Sequence, residues 1–255
     1  NENIDVVFLG NSRCIGSIVP SQFNRITHLK SINLGANGQD NFIFFEKRLN
    51  RFLINGNSKP KFVIIVCEPI NSENKQFEQK DRFARYAFNS TVKDTALLNY
   101  FEFDKLDKYI PSMALLRYKR LFDCLLLNNK STFEKFGYSK FFGKMCHQNI
   151  TDFQIDLVTR NQFKYYKQLL KFNTWLKEKK IKLIAIQLPM LGMNKLKYQV
   201  FKNEKMVKKM GVSFINLFSK RLNNCEYFSD RFHPNEVGAT LFTKELAVQF
   251  NKKNK

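Results

Sequence analysis

Three side chains of this sequence have the types and the order needed to activate a hydroxyl group as a nucleophile. Ser12 follows the apolar run Asp5–Leu9, and Asp230 and His233 lie in a polar loop before the last helical stretch. A serine hydroxyl is a poor nucleophile until a neighbouring base takes its proton. His233 could be that base, and Asp230 could accept the other ring N–H and fix the tautomer. The pattern predicts a Ser-His-Asp triad.

Two further positions could contribute to the same site. Gly38 lies in a loop after the second apolar run, and without a side chain it permits close approach of a ligand to the backbone. Its N–H and that of Ser12 are predicted to face a developing oxyanion. Arg13 could bind a substrate carboxylate or phosphate, or it could form a structural ion pair. His28 and His147 lie outside these segments and are assigned no role.

The candidate triad residues also have purely structural interpretations. Ser12 could cap a helix that begins near Cys14, since serine is a favoured N-cap. Asp230 and His233 could serve only to stabilise the start of the last helix. Each motif alone is common, and the case for a triad depends on finding all of them in this order along the chain.

The elements that would position these residues alternate between strands and helices. Five short apolar runs, each ending in a turn or polar loop, predict buried strands of a parallel sheet: Asp5–Leu9, Ser31–Leu34, Lys61–Cys67, Lys182–Leu188 and Val212–Leu217. Helical spacing of apolar residues fills the intervals, over Asn41–Leu53, roughly Thr151–Lys180, Asn194–Met210 and about Asn235–Phe250. The alternation predicts a three-layer α/β/α sandwich with about five parallel strands. In such sheets ligands bind beyond the carboxyl ends of the strands, which is where Ser12, Gly38 and His233 would lie.

The stretch 71–150 interrupts this alternation after the third strand. It contains the helical segment Leu106–Leu127 and is too long for a single loop. We predict a mostly helical insertion into one domain that spans residues 1–255.

The motifs resemble the SGNH (GDSL-type) hydrolase and acyltransferase superfamily. Gly10-Asn11-Ser12 resembles its nucleophile block, Asn37-Gly38-Gln39-Asp40 its second block, and the Asp230–His233 stretch its DxxH block. The resemblance implies an SGNH-hydrolase-like, flavodoxin-like fold and roles for Ser12, Asp230 and His233 in catalysis and for Gly38 in the oxyanion hole. The Gly-x-Ser-Arg start and the C-terminal stretch are most similar to envelope-associated members, of the teichoic-acid D-alanylation and polysaccharide O-acetylation kind.

The third block departs from this family pattern. The superfamily usually has Gly-x-Asn-Asp after the third strand, and its Asn is the other oxyanion donor. This chain has Cys67-Glu68-Pro69-Ile70-Asn71, in which Asn71 could substitute only if the loop bends back two residues late. Losing such a donor costs about 10²–10³ in rate in other enzymes. The departure leaves open a second interpretation, a catalytically weak or inactive binding or assembly module of the cell envelope.

Charge and cysteine content say less than the motifs about the function of the protein and its cellular compartment. There are 43 Lys+Arg against 22 Asp+Glu, a net charge of +21, and 16 of the basic residues with only two acids fall between Arg160 and Arg221. Such a stretch could bind anionic lipid, phosphate-rich polymer or nucleic acid. It could equally be a solvated surface whose lysines reflect the codon bias of an A/T-rich genome. The five cysteines show no close pairing or CxxC, so we expect reduced, mostly buried thiols and no zinc site.

The resemblance implies a serine-dependent ester hydrolase or O-acyltransferase acting on a cell-envelope glycan or glycopolymer. The expected partners are that acylated substrate and a membrane protein that donates the acyl group. We expect no metal or organic cofactor and no nucleic-acid partner. No run of 18 apolar residues is present. The chain begins with Asn, and we expect a membrane helix upstream of Asn1 that holds the protein on the extracytoplasmic side of the envelope.

Overall fold

The computed structural model describes residues 3–36, 42–54, 59–67, 136–143, 159–191, 197–219 and 221–254. The chain divides into two compact units, 1–70 with 132–255, and 71–131. All described residues belong to the first unit. The helical segment Leu106–Leu127 lies outside them, so the insertion and the single-domain organisation stay predictions.

The first unit is built on one parallel sheet of five strands in the order β2-β1-β3-β4-β5. The strands are β1 Val6–Leu9, β2 Ser31–Asn33, β3 Phe62–Val66, β4 Lys182–Gln187 and β5 Ser213–Asn216. The register places Val7 beside Ile32 and Val63. All strands point the same way, so the sheet has an amino end, where they begin, and a carboxyl end, where they stop. The predicted fold class and all five predicted strands are confirmed, each to within two residues at either end.

Helices cover both faces of this sheet. In chain order the described ones are α1 Ser12–Ser17, α2 Pro20–Thr27, α3 Phe42–Ile54, α4 Thr159–Glu178, α5 Lys197–Lys209 and α6 Glu236–Asn254. A 3₁₀ turn at Cys225–Tyr227 precedes α6. Helices α1, α2 and α6 pack together on one face, and α3 packs against α4 on the other. Each crossover helix therefore starts near the carboxyl end of the sheet and finishes near its amino end.

Phenylalanine side chains fill much of the layer between the sheet and the helices α2 and α6. Phe8 of β1 meets Phe23 of α2 edge to face, with ring centroids 5.1 Å apart, and Phe23 meets Phe250 of α6 at 5.4 Å. Each such buried side chain stabilises the fold by about 1.5–3 kcal/mol. This packing holds α1 and α6, the two helices that flank the candidate triad, against the same sheet.

The cysteines differ from the prediction of five reduced thiols. Cys14 and Cys67 are buried and free, as expected. Cys225 is instead disulfide-bonded. Spacing along the chain does not show which cysteines the fold brings together, and an odd number of them does not exclude one bond.

Candidate active site

Ser12 lies at the carboxyl end of the sheet, on the first turn of α1. The chain turns sharply from β1 into this helix, and a Cβ atom on Gly10 would lie 2.7 Å from the Cβ of Cys14. Only glycine fits that turn. The side chain of Asn11 caps the helix by accepting a hydrogen bond from the Arg13 N–H at 2.9 Å. The capping interpretation of Ser12 is therefore wrong, and the Ser12 hydroxyl is left to make other contacts.

Asp230 and His233 lie in the loop between the 3₁₀ turn and α6, which returns to the same end of the sheet. Asp230 Oδ1 accepts hydrogen bonds from the backbone N–H groups of Phe232 at 2.7 Å and His233 at 2.8 Å. These bonds close the loop as an Asx turn. The cap of α6 is a different residue, Asn235, whose Oδ1 accepts from the Gly238 N–H at 3.0 Å. Asp230 and His233 are therefore not needed to begin the last helix.

The structure brings the three predicted side chains into one hydrogen-bonded chain. His233 Nε2 lies 2.8 Å from Ser12 Oγ, and His233 Nδ1 lies 2.8 Å from Asp230 Oδ2 and 3.0 Å from Oδ1. Residues 221 positions apart in the sequence thus meet at hydrogen-bond distance. The imidazole is 19% exposed and the Asp230 side chain 51%. This geometry is the one in which histidine takes a serine proton while the carboxylate orients its ring.

The loop also determines the charge of Asp230. Partial burial raises the pKa of this carboxyl, but hydrogen bonds from the His233 ring and from the backbone N–H groups of His233 and Phe232 outweigh that effect. The net result is a pKa of about 2, against an ordinary value of 3.8. Asp230 is therefore a carboxylate throughout the neutral range, as a residue that stabilises an imidazolium must be.

Arg13, beside Ser12, has a structural role. It is only 4% exposed, and its guanidinium donates to the backbone carbonyls of Phe232, at 3.0 Å, and of Pro189. One side chain thus ties the start of α1 to the Asp230–His233 loop and to the segment after β4. These acceptors are carbonyl groups, so Arg13 is occupied in holding the loop rather than exposed to a substrate anion.

Asn33, at the end of β2, is a second buried support that the sequence did not indicate. Its amide donates to the carbonyls of Cys14 at 2.8 Å and Ile18 at 3.1 Å, and its Oδ1 accepts from the Gly35 N–H at 3.0 Å. Buried amides of this kind fix the backbone because leaving them unpaired is costly. Asn33 therefore holds α1, and with it Ser12, against the sheet.

The segment 136–143 adds an aromatic contact to the site. The ring of Phe141 stacks on the His233 imidazole, with centroids 4.4 Å apart and planes 20° from parallel. The same ring lies against α1, where a Cβ atom on Gly16 would be only 2.2 Å from it. Lys140 pairs with Glu236 at the start of α6, with 2.9 Å between Nζ and Oε1. Phe141 therefore covers one face of the imidazole and is wedged between it and the Ser12 helix.

Most of the other residues considered in the sequence analysis cannot be placed relative to the triad. Gly38 and Asn71 lie outside the described residues, as does His147, so the oxyanion roles of Gly38 and the Ser12 N–H stay predictions. His28 is exposed at the C-terminal cap of α2, away from the triad. Among the described residues no group of three His, Cys, Asp or Glu side chains could hold a metal ion.

Comparison with known proteins gave structural similarity only. No family model matches the chain, and no curated protein matches it. Its structural neighbours include GDSL-type lipolytic proteins and acetylxylan esterases. One, described as lipolytic and of the G-D-S-L family, is from Desulfitobacterium hafniense, with 12% identity, a TM-score of 0.49 and coverage of 96% of this chain and 99% of its own.

A GDSL-like lipase from Bacteroides thetaiotaomicron shows 16% identity and a TM-score of 0.48, over 98% of this chain and 88% of its own. A catalytic mutant of an acetylxylan esterase from Geobacillus stearothermophilus shows 10% identity and a TM-score of 0.45, over 96% and 92%. At identities of 10–16% these similarities concern the fold alone. The envelope-associated subgroup stays a prediction.

Proposed function

We propose that this protein is a serine-dependent ester hydrolase or O-acyltransferase. The observation that carries the proposal is the hydrogen-bonded chain Ser12–His233–Asp230, with 2.8 Å at each of its two links. The serine lies at the start of a helix and donates to the histidine, and the carboxylate orients the histidine ring. This is the arrangement needed for acyl transfer.

The reaction would proceed through an acyl-enzyme. Ser12 Oγ attacks the ester carbonyl carbon while its proton passes to His233 Nε2. The tetrahedral intermediate then expels the alcohol, which takes that proton, and the acyl group remains on Ser12. Water, or the hydroxyl of an acceptor, attacks the acyl carbon in the same way and returns the hydroxyl to Ser12. Hydrolysis and transfer differ only in this second nucleophile.

The proposed substrate is an acylated glycan or glycopolymer of the cell envelope, with a membrane acyl-donor protein as a further partner. The resemblance to envelope-associated SGNH proteins supports this setting. The disulfide at Cys225 supports it independently, because disulfides persist mainly in oxidising, extracytoplasmic compartments. No described helix has the length and apolar composition to cross a membrane. The proposed anchor is a helix upstream of Asn1.

The test is hydrolysis of p-nitrophenyl acetate by the wild type and by Ser12→Ala. The variant is expected to lose nearly all of the wild-type turnover, since it removes the attacking oxygen. Ser17→Ala is the matched control, because Ser17 lies at the end of the same helix and its buried hydroxyl makes no hydrogen bond with the described residues. Equal turnover by wild type and Ser12→Ala would reject the proposal. Acyl release from an acetylated polysaccharide, with and without a hydroxyl acceptor, then distinguishes hydrolysis from transfer.

The second candidate is a binding or assembly module that keeps the fold without efficient chemistry. The sequence after β3, Cys67-Glu68-Pro69-Ile70-Asn71, favours it, because the usual oxyanion asparagine is missing there. Cys67 itself is fully buried and accepts a hydrogen bond from the Tyr165 hydroxyl at 3.2 Å. This candidate predicts glycopolymer binding that survives Ser12→Ala, together with no turnover by the wild type.

A further inference from the structure

The amino end of the sheet, opposite the candidate triad, carries a concentration of exposed lysines. They come from strand starts and from the ends of helices α4 and α5, although these elements are far apart in the sequence: Lys61, Lys177, Lys180, Lys182, Lys208 and Lys209. We call this surface the basic end. It includes five of the 16 basic residues between Arg160 and Arg221, a stretch to which the proposed reaction gives no role.

Three of these lysines converge on one cavity. A depression of about 320 Å³ at the starts of β4 and β5 is lined by Lys177, Lys180 and Lys182, with Asn173, Gly211 and Ser213 beside them. None of its lining residues is acidic. The basic end has two ion pairs, Lys61–Asp5 and Lys208–Glu204, and neither involves a lysine that lines the cavity. The cavity is therefore a positively charged recess that lacks its own counter-ion among the described residues.

Helix ends alone do not explain this arrangement. Lysines at helix C-termini are favoured by the helix dipole, and that accounts for one or two per helix. Lys182 begins a strand, and its ammonium donates to the side chain of Asn254 at 2.8 Å. The crowding also affects Lys253, in the last turn of α6: burial and then the charge of Lys208 lower the pKa of Lys253, although Glu204 acts in the opposite direction. The fold thus gathers like charges here although they repel one another.

The basic end also presents apolar groups to solvent. Ile54, the last residue of α3, is 73% exposed. Trp175 of α4 is partly exposed, with the ammonium of Lys179 4.9 Å from its ring centroid. Lysines interspersed with exposed aliphatic and tryptophan side chains are typical of surfaces that lie on a membrane, where the ammonium groups meet phosphates and the apolar groups enter the headgroup region.

We propose that the basic end binds the anionic headgroups of a phospholipid membrane, with the cavity of Lys177, Lys180 and Lys182 receiving a phosphate. The inference is independent of the proposed reaction. Strands of three to six residues separate the two ends of the sheet, a distance of about 10–20 Å. A protein docked in this way would hold the candidate triad away from the bilayer, facing soluble or polymeric substrate.

The experiment measures co-sedimentation with vesicles of phosphatidylcholine alone and of phosphatidylcholine with phosphatidylglycerol, at low and high salt. The test variant combines Lys177→Gln, Lys180→Gln and Lys182→Gln. The matched control removes three charges from lysines of α4, α5 and α6 that are also exposed: Lys171→Gln, Lys205→Gln and Lys244→Gln. Thermal unfolding checks that both variants are folded.

The wild type is expected to bind only the anionic vesicles and to be released by salt. Each lysine near the surface contributes about fivefold in affinity, so the test variant should bind ~100-fold more weakly, and the control should lose much less. Absence of binding by the wild type, or equal losses in test and control variants, would overturn the proposal. Displacement of the protein from vesicles by duplex DNA at comparable phosphate concentration would also overturn it, in favour of a nucleic-acid surface. The p-nitrophenyl acetate activity of the test variant should be unchanged.

Discussion

Replacing Asp230 with asparagine separates a catalytic from a structural role of this side chain. In the wild type Oδ1 accepts from two backbone N–H groups, and Oδ2 lies 2.8 Å from His233 Nδ1. In Asp230→Asn the amide oxygen can take the place of Oδ1 and keep both backbone hydrogen bonds. The flipped amide would instead point its NH₂ group at the two backbone N–H groups, which is unfavourable. The amide nitrogen then points at His233 Nδ1, which must act as an acceptor.

The consequence for the chemistry follows from the tautomer. When Nδ1 accepts, the ring proton lies on Nε2, and Nε2 can no longer accept the proton of Ser12 Oγ. A comparable change in a serine protease lowers kcat by about 10⁴ with the geometry intact, and we expect a loss of that order here. The loop should persist, so the free energy of unfolding should change by no more than ~1 kcal/mol.

The assay is kcat/KM for p-nitrophenyl acetate together with urea unfolding at neutral pH. Asp230→Ala serves as the reference in which both the loop bonds and the carboxylate are removed, and it should lose stability as well as activity. A folded Asp230→Asn protein that keeps more than about a tenth of the wild-type kcat/KM would refute the reasoning, since catalysis would then not require the carboxylate.

Three further predictions concern the surroundings of the site. Because the pKa of Asp230 is depressed to about 2, the ionised carboxylate stabilises the folded protein above pH ~4, and this stabilisation is lost as the pH falls towards 2. The side chain is half exposed, so we expect a contribution of about 1 kcal/mol to the free energy of unfolding, measured by urea unfolding against Asp230→Asn. Gly16→Ala should displace Phe141 and cost ~1–3 kcal/mol in stability, and a double-mutant cycle with Phe141→Ala should show that the cost is largely relieved. Alkylation should modify two more cysteines after reduction than before it, and Cys225→Ser should lower stability by about 2–4 kcal/mol; equal alkylation would contradict the bond.

The sheet could be predicted from the sequence because its strands are buried on both faces. Continuous apolar runs such as Phe62–Val66, each followed by a turn or polar loop, have few other interpretations in a chain of alternating elements. The short helix Pro20–Thr27 was not predicted, although proline at its first position is a recognisable start signal. Its eight residues are too few for periodicity alone to identify.

The candidate triad was predictable because each member lies in a short motif next to a strand or helix end. The residues that support it were not, because their contacts are tertiary. Arg13 reaches carbonyls 176 and 219 positions away, and sequence alone could not decide between a ligand and a structural role. Phe141 belongs to a segment without periodicity, and nothing in its neighbours indicates a stack on His233. The disulfide of Cys225 was missed for the same reason.

Labelling with a fluorophosphonate probe, followed by peptide mass mapping, tests the central claim most directly. The probe reacts with a serine only when a neighbouring base activates it, so it reports the Ser12–His233 pair in the folded protein. We expect one adduct on the peptide that contains Ser12, present in Ser17→Ala and absent from Ser12→Ala and His233→Ala. An unlabelled wild-type protein, or a label that persists in Ser12→Ala, would contradict the account.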